Sequence, residues 1–194
     1  MKRLIILGMS LVMGLTIASC KKGENDPAIS LKSRDSRITG EWNLKNINGD
    51  FITQSENIDG EIETYKQSIS YDNGVITITD NDGDTESSQY LFELDILDDQ
   101  SFTLLNKITY DDTDFEEYSV SDQWYWLDGV KNKSQIFLPG FNEVTFFGYD
   151  DALIIDRLTN KEMHLKINTS YGMDDSFSGV DNEEFTLLIE FEKK

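Results

Sequence analysis

From Gly40 onward, apolar and polar residues alternate with a period of two. Trp42 and Leu44 are interleaved with Glu41, Asn43 and Lys45, the pattern of a strand that buries one face. Tyr65, Gln67, Ile69 and Tyr71 lead into Asp72-Asn73-Gly74, and residues 75–79 lead out. Asn-Gly between two such runs predicts a hairpin, because the tight turn needs two residues that tolerate positive φ. Tyr90, Phe92, Leu94 and Ile96 continue the alternation, and Phe102, Leu104, Ile108 and Tyr110 resume it after Asp98-Asp99-Gln100, which predicts a second antiparallel pair. Residues 144–149 and 153–158, then Met163, Leu165 and Ile167, read as three more strands, and Phe185, Leu187, Ile189 and Phe191 as a last one. Some ten short strands with regular turn signals, two prolines and no long helical stripe predict an all-β fold. An antiparallel up-and-down barrel is expected, with a β-sandwich as the alternative. Closure favours the barrel, since it removes exposed sheet edges. Residues 111–140 fit this scheme least well.

The first nineteen residues obey no such period. Lys2 and Arg3 give a basic start, residues 4–15 an apolar run, and Ile17-Ala18-Ser19-Cys20 a small-residue junction that ends at the only cysteine. This is the pattern of a secretory leader. The run is too short to cross about 30 Å of hydrocarbon, which takes about 20 residues. Residues 21–36 have few large apolar side chains and no sustained period, so they read as a flexible spacer. The expected division is a leader over 1–19, a linker over 20–36 and a β domain over 37–194.

Charge narrows the partners. There are 17 basic residues against 37 acidic ones, a formal charge of −20, and loss of Lys2 and Arg3 with the leader deepens it. Nucleic acid is excluded as a partner class, because affinity for phosphate backbones comes from Lys and Arg displacing counterions. With the one cysteine placed at the junction, no thiol remains for a disulfide or a thiolate nucleophile. The fold must stand on its apolar core, and at this length a single domain buries roughly 70% of its unfolded surface.

Candidate chemistry is sparse. Asp80-Asn81-Asp82-Gly83-Asp84 has the look of a calcium loop, but setting Gly83 at the sixth position puts Ile78 at the first and Gln89 at the twelfth. Both end ligands are missing, so an Asp- and Gly-rich turn is expected and no metal site. His164, the only histidine, sits between Met163 and Leu165; if these face the core, it faces water beside Lys166. No nucleophile and base stand in a recognisable context, so catalytic residues and cofactors are expected to be absent and the protein non-enzymatic. In Trp124-Tyr125-Trp126 the two tryptophans would share one strand face, a spacing suited to stacking on a sugar ring or lining an apolar cavity. Packing in the core is the competing use.

Two resemblances add to this reading. The junction before Cys20 resembles the lipobox of bacterial lipoproteins, which implies that Cys20 is the lipidated first residue of the mature chain. Those proteins carry three acyl chains there, palmitate typically among them, and one chain alone binds a membrane only marginally. Glu24 and Asp26 resemble the surface-export signals of lipoproteins from Bacteroidota, with plain linker polarity as the alternative. Outer-membrane anchoring is implied, and the periplasmic and surface sides both stay open. The second resemblance begins at Arg37-Ile38-Thr39-Gly40-Glu41-Trp42, which carries the Gly-x-Trp that opens the first strand of lipocalins. Residues 155–159, 163–165 and 185–191 look like later strands of lipocalin-like lipoproteins. The chain has Lys193 and Lys194 where lipocalins set an arginine against the tryptophan. The resemblance implies a binding module whose barrel interior or mouth takes a small apolar or amphipathic ligand, a glycan among the candidates, with Trp124 and Trp126 as candidate contacts. The alternative is a structural or assembly component of the envelope with a side-chain-filled barrel.

Overall fold

The alternating runs condense into strands that all pair antiparallel within one sheet. The computed structural model describes residues 25–26, 32–57, 59–110, 114–127, 133–145, 152–175 and 179–194; the leader and Cys20 lie outside the described residues. The strands are β1 (Gly40–Glu56), β2 (Ile62–Asp72), β3 (Val75–Asp80), β4 (Thr85–Ile96), β5 (Ser101–Thr109), β6 (Phe115–Gln123), β7 (Tyr125–Trp126), β8 (Gln135–Phe137), β9 (Ala152–Leu158), β10 (Glu162–Asp175) and β11 (Gly179–Lys193). Two short helices accompany them, α1 (Arg34–Ile38) and α2 (Phe141–Val144).

The sheet closes through β1. The start of β1 pairs with the end of β4, Gly40 opposite Ile96 and Asn43 opposite Glu93. Farther along, β1 pairs with β2 from Ile47–Tyr71 to Glu56–Ile62. β1 and β4 therefore fork, and the β2–β3 hairpin fills the fork with its Asn73-Gly74 turn at the crotch, where the N–H of Tyr90 donates to the carbonyl of Gly74 (2.7 Å). Asn73 and Gly74 both have positive φ, as the hairpin signal requires. Four strands, β1 to β4, thus form a hydrogen-bonded ring, and the other seven extend from it: β5 and β6 beyond β4, and β11, β10, β9, β8 and β7 beyond β1. The outermost strands, β6 and β7, are neighbours in the chain with only Trp124 between them, so a one-residue connection links the two edges of the sheet. An all-β antiparallel barrel is the outcome. The sandwich alternative is not formed, because hydrogen bonding runs through one sheet.

One face of every long strand turns inward. Phe92 on β4 meets Phe191 on β11 (ring centroids 5.6 Å) and Phe141 on α2 (6.1 Å). With Leu94, Ile96, Phe102, Leu104, Leu153, Ile155, Met163, Leu165, Leu187 and Ile189 they make a single buried core. A bulge between Leu44 and Asn46 shifts the register of β1, so that Trp42 and Leu44 before it and Ile47 and Phe51 after it all serve the core. Gly49 allows the close approach of β11; a Cβ there would lie 2.2 Å from the backbone oxygen of Thr186.

Three segments differ from the sequence expectation. Residues 144–149 were expected as a strand, but Val144 ends α2, and 146–149 lie outside the described residues. The chain turns at Gly140 (φ 76°), Phe141 drops fully into the core, and Thr145 Oγ1 donates to the carbonyl of Phe141 (2.7 Å). Residues 115–123 carry too few apolar side chains to announce a strand, yet form β6 because β5 offers them a full ladder, Ser101–Gln123 to Thr109–Phe115. The spacer is also shorter than its composition implies. Asn25 and Asp26 are bound to β9, and Ser33 caps α1 by accepting the N–H of Ser36 (3.1 Å), so ordered contacts begin well before Arg37.

Candidate functional site

The two ends of the barrel differ in construction. At one end, α1 lies across the opening. Trp42 is completely buried and its indole N–H donates to the carbonyl of Ile38 (2.7 Å). Lys193 lies over the ring, its Nζ 4.7 Å from the centroid, and donates to the carbonyls of Arg37 (3.0 Å) and Thr39 (2.5 Å). A lysine thus holds the cation position on the tryptophan. Burial, with a lesser push from Lys32, pulls the Lys193 ammonium below its ordinary value. Gly40 accommodates that side chain: its φ is +137°, and a Cβ there would lie 2.6 Å from Lys193 Cε. The Gly-x-Trp spacing is therefore a packing device in this chain.

The spacer is fastened to the same end. Asp26 and Arg34 form an ion pair at 2.6 Å with both side chains 3% exposed, and the other Asp26 oxygen accepts the N–H of Leu158 (2.8 Å). Arg37 donates to the carbonyl of Leu158. Asn25 bonds Asp156 through backbone (3.0 Å) and side chain (2.8 Å), and its own carbonyl accepts from Arg157 (3.1 Å). Buried charges persist where they are paired and hydrogen-bonded; Asp26 and Arg34 neutralise each other, and Arg37 is held by the carbonyl of Leu158.

Trp124 and Trp126 are brought together here, edge to face at 5.6 Å. Trp124 is 3% exposed and donates to the carbonyl of Leu97 (3.1 Å). Trp126 donates to Asp35 on α1 (2.7 Å), and Lys133 pairs with the same carboxylate. Both indole N–H groups are thus used inside the protein: that of Trp126 holds α1 against the strands, and that of Trp124 holds the connection between β4 and β5. Trp124 also borders a depression of about 350 Å³ whose other walls, Ser33, Asp35, Ser36, Thr39, Asp98 and Gln100, are polar.

Among the described residues, the opposite end has no such cover. There the inward stripes of β3, β4, β5 and β6 continue past the core and line a cavity of about 320 Å³ with Ile76, Ile78 and Ile108, the ring of Tyr110, Ser88, and Glu86 and Glu116. Ile76 and Tyr90 are still buried; Ile78 and Ile108 are half-buried, and Tyr110 is exposed. Tyr118 donates to Glu116 (3.1 Å), which pushes its phenol upward from the ordinary value. Glu86 stands opposite Ile78, and Glu116 opposite Ile108. No sequence motif marks these residues. The available signal is that β4 keeps its alternation while its inward positions change from Tyr90, Phe92, Leu94 and Ile96 to Ser88 and Glu86.

Asp80, in the calcium-like stretch, accepts the N–H groups of Asp82 (3.0 Å) and Asp84 (2.9 Å), while Gly83 takes φ +88°; its carboxylate organises the β3–β4 turn. His164 is half-buried, on the opposite parity to Met163 and Leu165, with Glu190 and Arg157 across the ladder. Among the described residues no helix is long and apolar enough to cross a membrane. In comparison with known proteins, no family model matches the chain, and no curated sequence does so.

Proposed function

We propose that the protein is a lipid-anchored, non-enzymatic binding module, held at the outer membrane through Cys20, that takes a small apolar or amphipathic molecule at the open mouth of its barrel. One observation carries this reading: the inward stripes of β3 to β6 run on beyond the buried core and line an unfilled apolar concavity. At about 320 Å³ it lies near the lower bound of small-molecule sites, about 300 to 1,000 Å³. The interior below it is filled by Phe92, Phe141, Phe191 and their neighbours, so the ligand belongs to the mouth. The packed interior also favours the second reading, a structural envelope component, and a ligand screen separates the two. A one-site ligand at a hundred times its dissociation constant stabilises the fold by about 2.7 kcal/mol, several degrees of melting midpoint. Ser88→Trp, which fills the mouth, is expected to cancel every such shift, whereas Trp124→Ala lowers the baseline without cancelling them. A screen of lipids, glycans and envelope metabolites that shifts nothing supports the structural role. The anchor is tested separately: Cys20→Ser moves the protein from the membrane to the soluble fraction with its fold unchanged.

A further inference from the structure

We infer that the ligand of the open mouth is a cationic amphiphile, an aliphatic or aromatic body carrying a protonated amine; the inference rests on the mouth being the binding site. The floor supplies the first half of this chemistry, because Ile76, Ile78 and Ile108 present apolar surface that gains by leaving water. The rim supplies the second. The two charged side chains around the cavity are Glu86 and Glu116, and they stand on different strands, β4 and β6, so a head group meets a carboxylate on either side. Ser88 and Tyr110 add hydroxyl groups that can accept an ammonium N–H. Basic groups nearby are directed elsewhere: Lys107 pairs with Glu117 and lies over Phe115 on the outer face of β5 and β6, and Lys66 pairs with Asp50. Among the described residues that line the mouth none is basic, so a carboxylate or phosphate head group meets like charge there, which discriminates by repulsion as well as by attraction. The formal charge of −20 acts in the same sense at long range, raising cation concentration near the surface.

The test compares three probes of one chain length, octylamine, 1-octanol and octanoate, by calorimetry below their micellar concentrations at physiological ionic strength, with the whole chain from residue 20. The expected order is amine, then alcohol, then carboxylate, with one saturable site and about tenfold between the extremes, which corresponds to about 1.4 kcal/mol. Glu86→Gln combined with Glu116→Gln is expected to level the series while leaving octanol binding in place, and Ser88→Trp to abolish all three. Equal affinity for the three probes overturns the charge selection and leaves the mouth as a plain apolar site. Amine binding that is unsaturable, or that survives Ser88→Trp, overturns it too, since it then reflects the acidic surface at large. Binding by none of the three, in a protein whose circular dichroism is native, overturns the binding reading itself.

Discussion

The closed and open ends of this barrel are made from the same strands, and the contrast between them shows what alternation determines and what it leaves to the partner. On β4, Phe92, Leu94 and Ile96 face inward near α1 and are fully buried; ten residues back from Ile96, Glu86 faces the same way and is exposed. On β5, Phe102, Leu104 and Asn106 are buried, whereas Tyr110, one residue past its end, is exposed. Facing inward is a property of the strand. Being buried depends on something lying across the opening, and only one end has α1, Lys193 and the Asp26–Arg34 pair to do so. Stability is therefore expected to concentrate at one end and freedom for binding at the other.

The sharpest break of that contrast is a pair of truncations. Trp42→Ala should cost about 3 to 5 kcal/mol, as aromatic truncations in cores do, whereas Ile108→Ala at the mouth should cost about 1 kcal/mol, given its partial burial. Urea midpoints measure both, and equal costs would show that the two ends are equally packed. Next in size is the ion pair. Asp26→Ala leaves Arg34 without that partner, a change that costs about 3 to 5 kcal/mol when the charge stays buried; here the segment can undock, and local opening limits the loss to about 1 to 3 kcal/mol. Faster proteolysis near Asn25, with the core still protected in hydrogen exchange, is the expected signature.

A pH series probes the border between the ends. Tyr90 is buried, and desolvation, with a smaller contribution from Tyr71, pushes its phenol well above the ordinary 10.0. The unfolded chain therefore loses this proton first as pH rises. Stability should be complete below pH 10.0 and fall above it as long as the folded phenol stays protonated. Tyr90→Phe should flatten that alkaline slope. Smallest of all is Ser88→Trp, which adds a ring to open space and should change stability by no more than about 0.5 kcal/mol; a large loss would mean that the mouth is tighter than its walls indicate.

Much of the closed end was legible in the sequence. Trp42, Leu94, Phe102 and Leu187 alternate with polar residues strictly enough to fix strand type and inward face together, and Asn73-Gly74 determines a turn by backbone chemistry alone. What the pattern left out has physical causes. The bulge between Leu44 and Asn46 changes parity within one strand, which a count by two cannot follow. β6 is held by its ladder with β5, and ladder bonds leave no trace in side-chain polarity. α1 is a five-residue helix, too short to show a period, and its stability comes from Ser33 and from tertiary bonds at Trp126 and Arg37. Asp26 reads as linker polarity because its partner, Arg34, is recognisable only once both have turned onto β9. The mouth was hidden for the opposite reason: Glu86, Ser88 and Glu116 are ordinary surface residues by type, and the curvature of the sheet makes them walls.

The fastening of Asn25 and Asp26 to β9 sets a length as well as a boundary. For a chain moored at Cys20, only five residue steps lead to Asn25, at most about 18 Å of fully extended backbone. The leash thus ends at the lidded pole of the barrel, while the mouth stands some ten residues of β4 farther away, about 33 Å along the strand. If Cys20 carries the lipid as proposed, the tether joins the barrel at the pole away from the mouth.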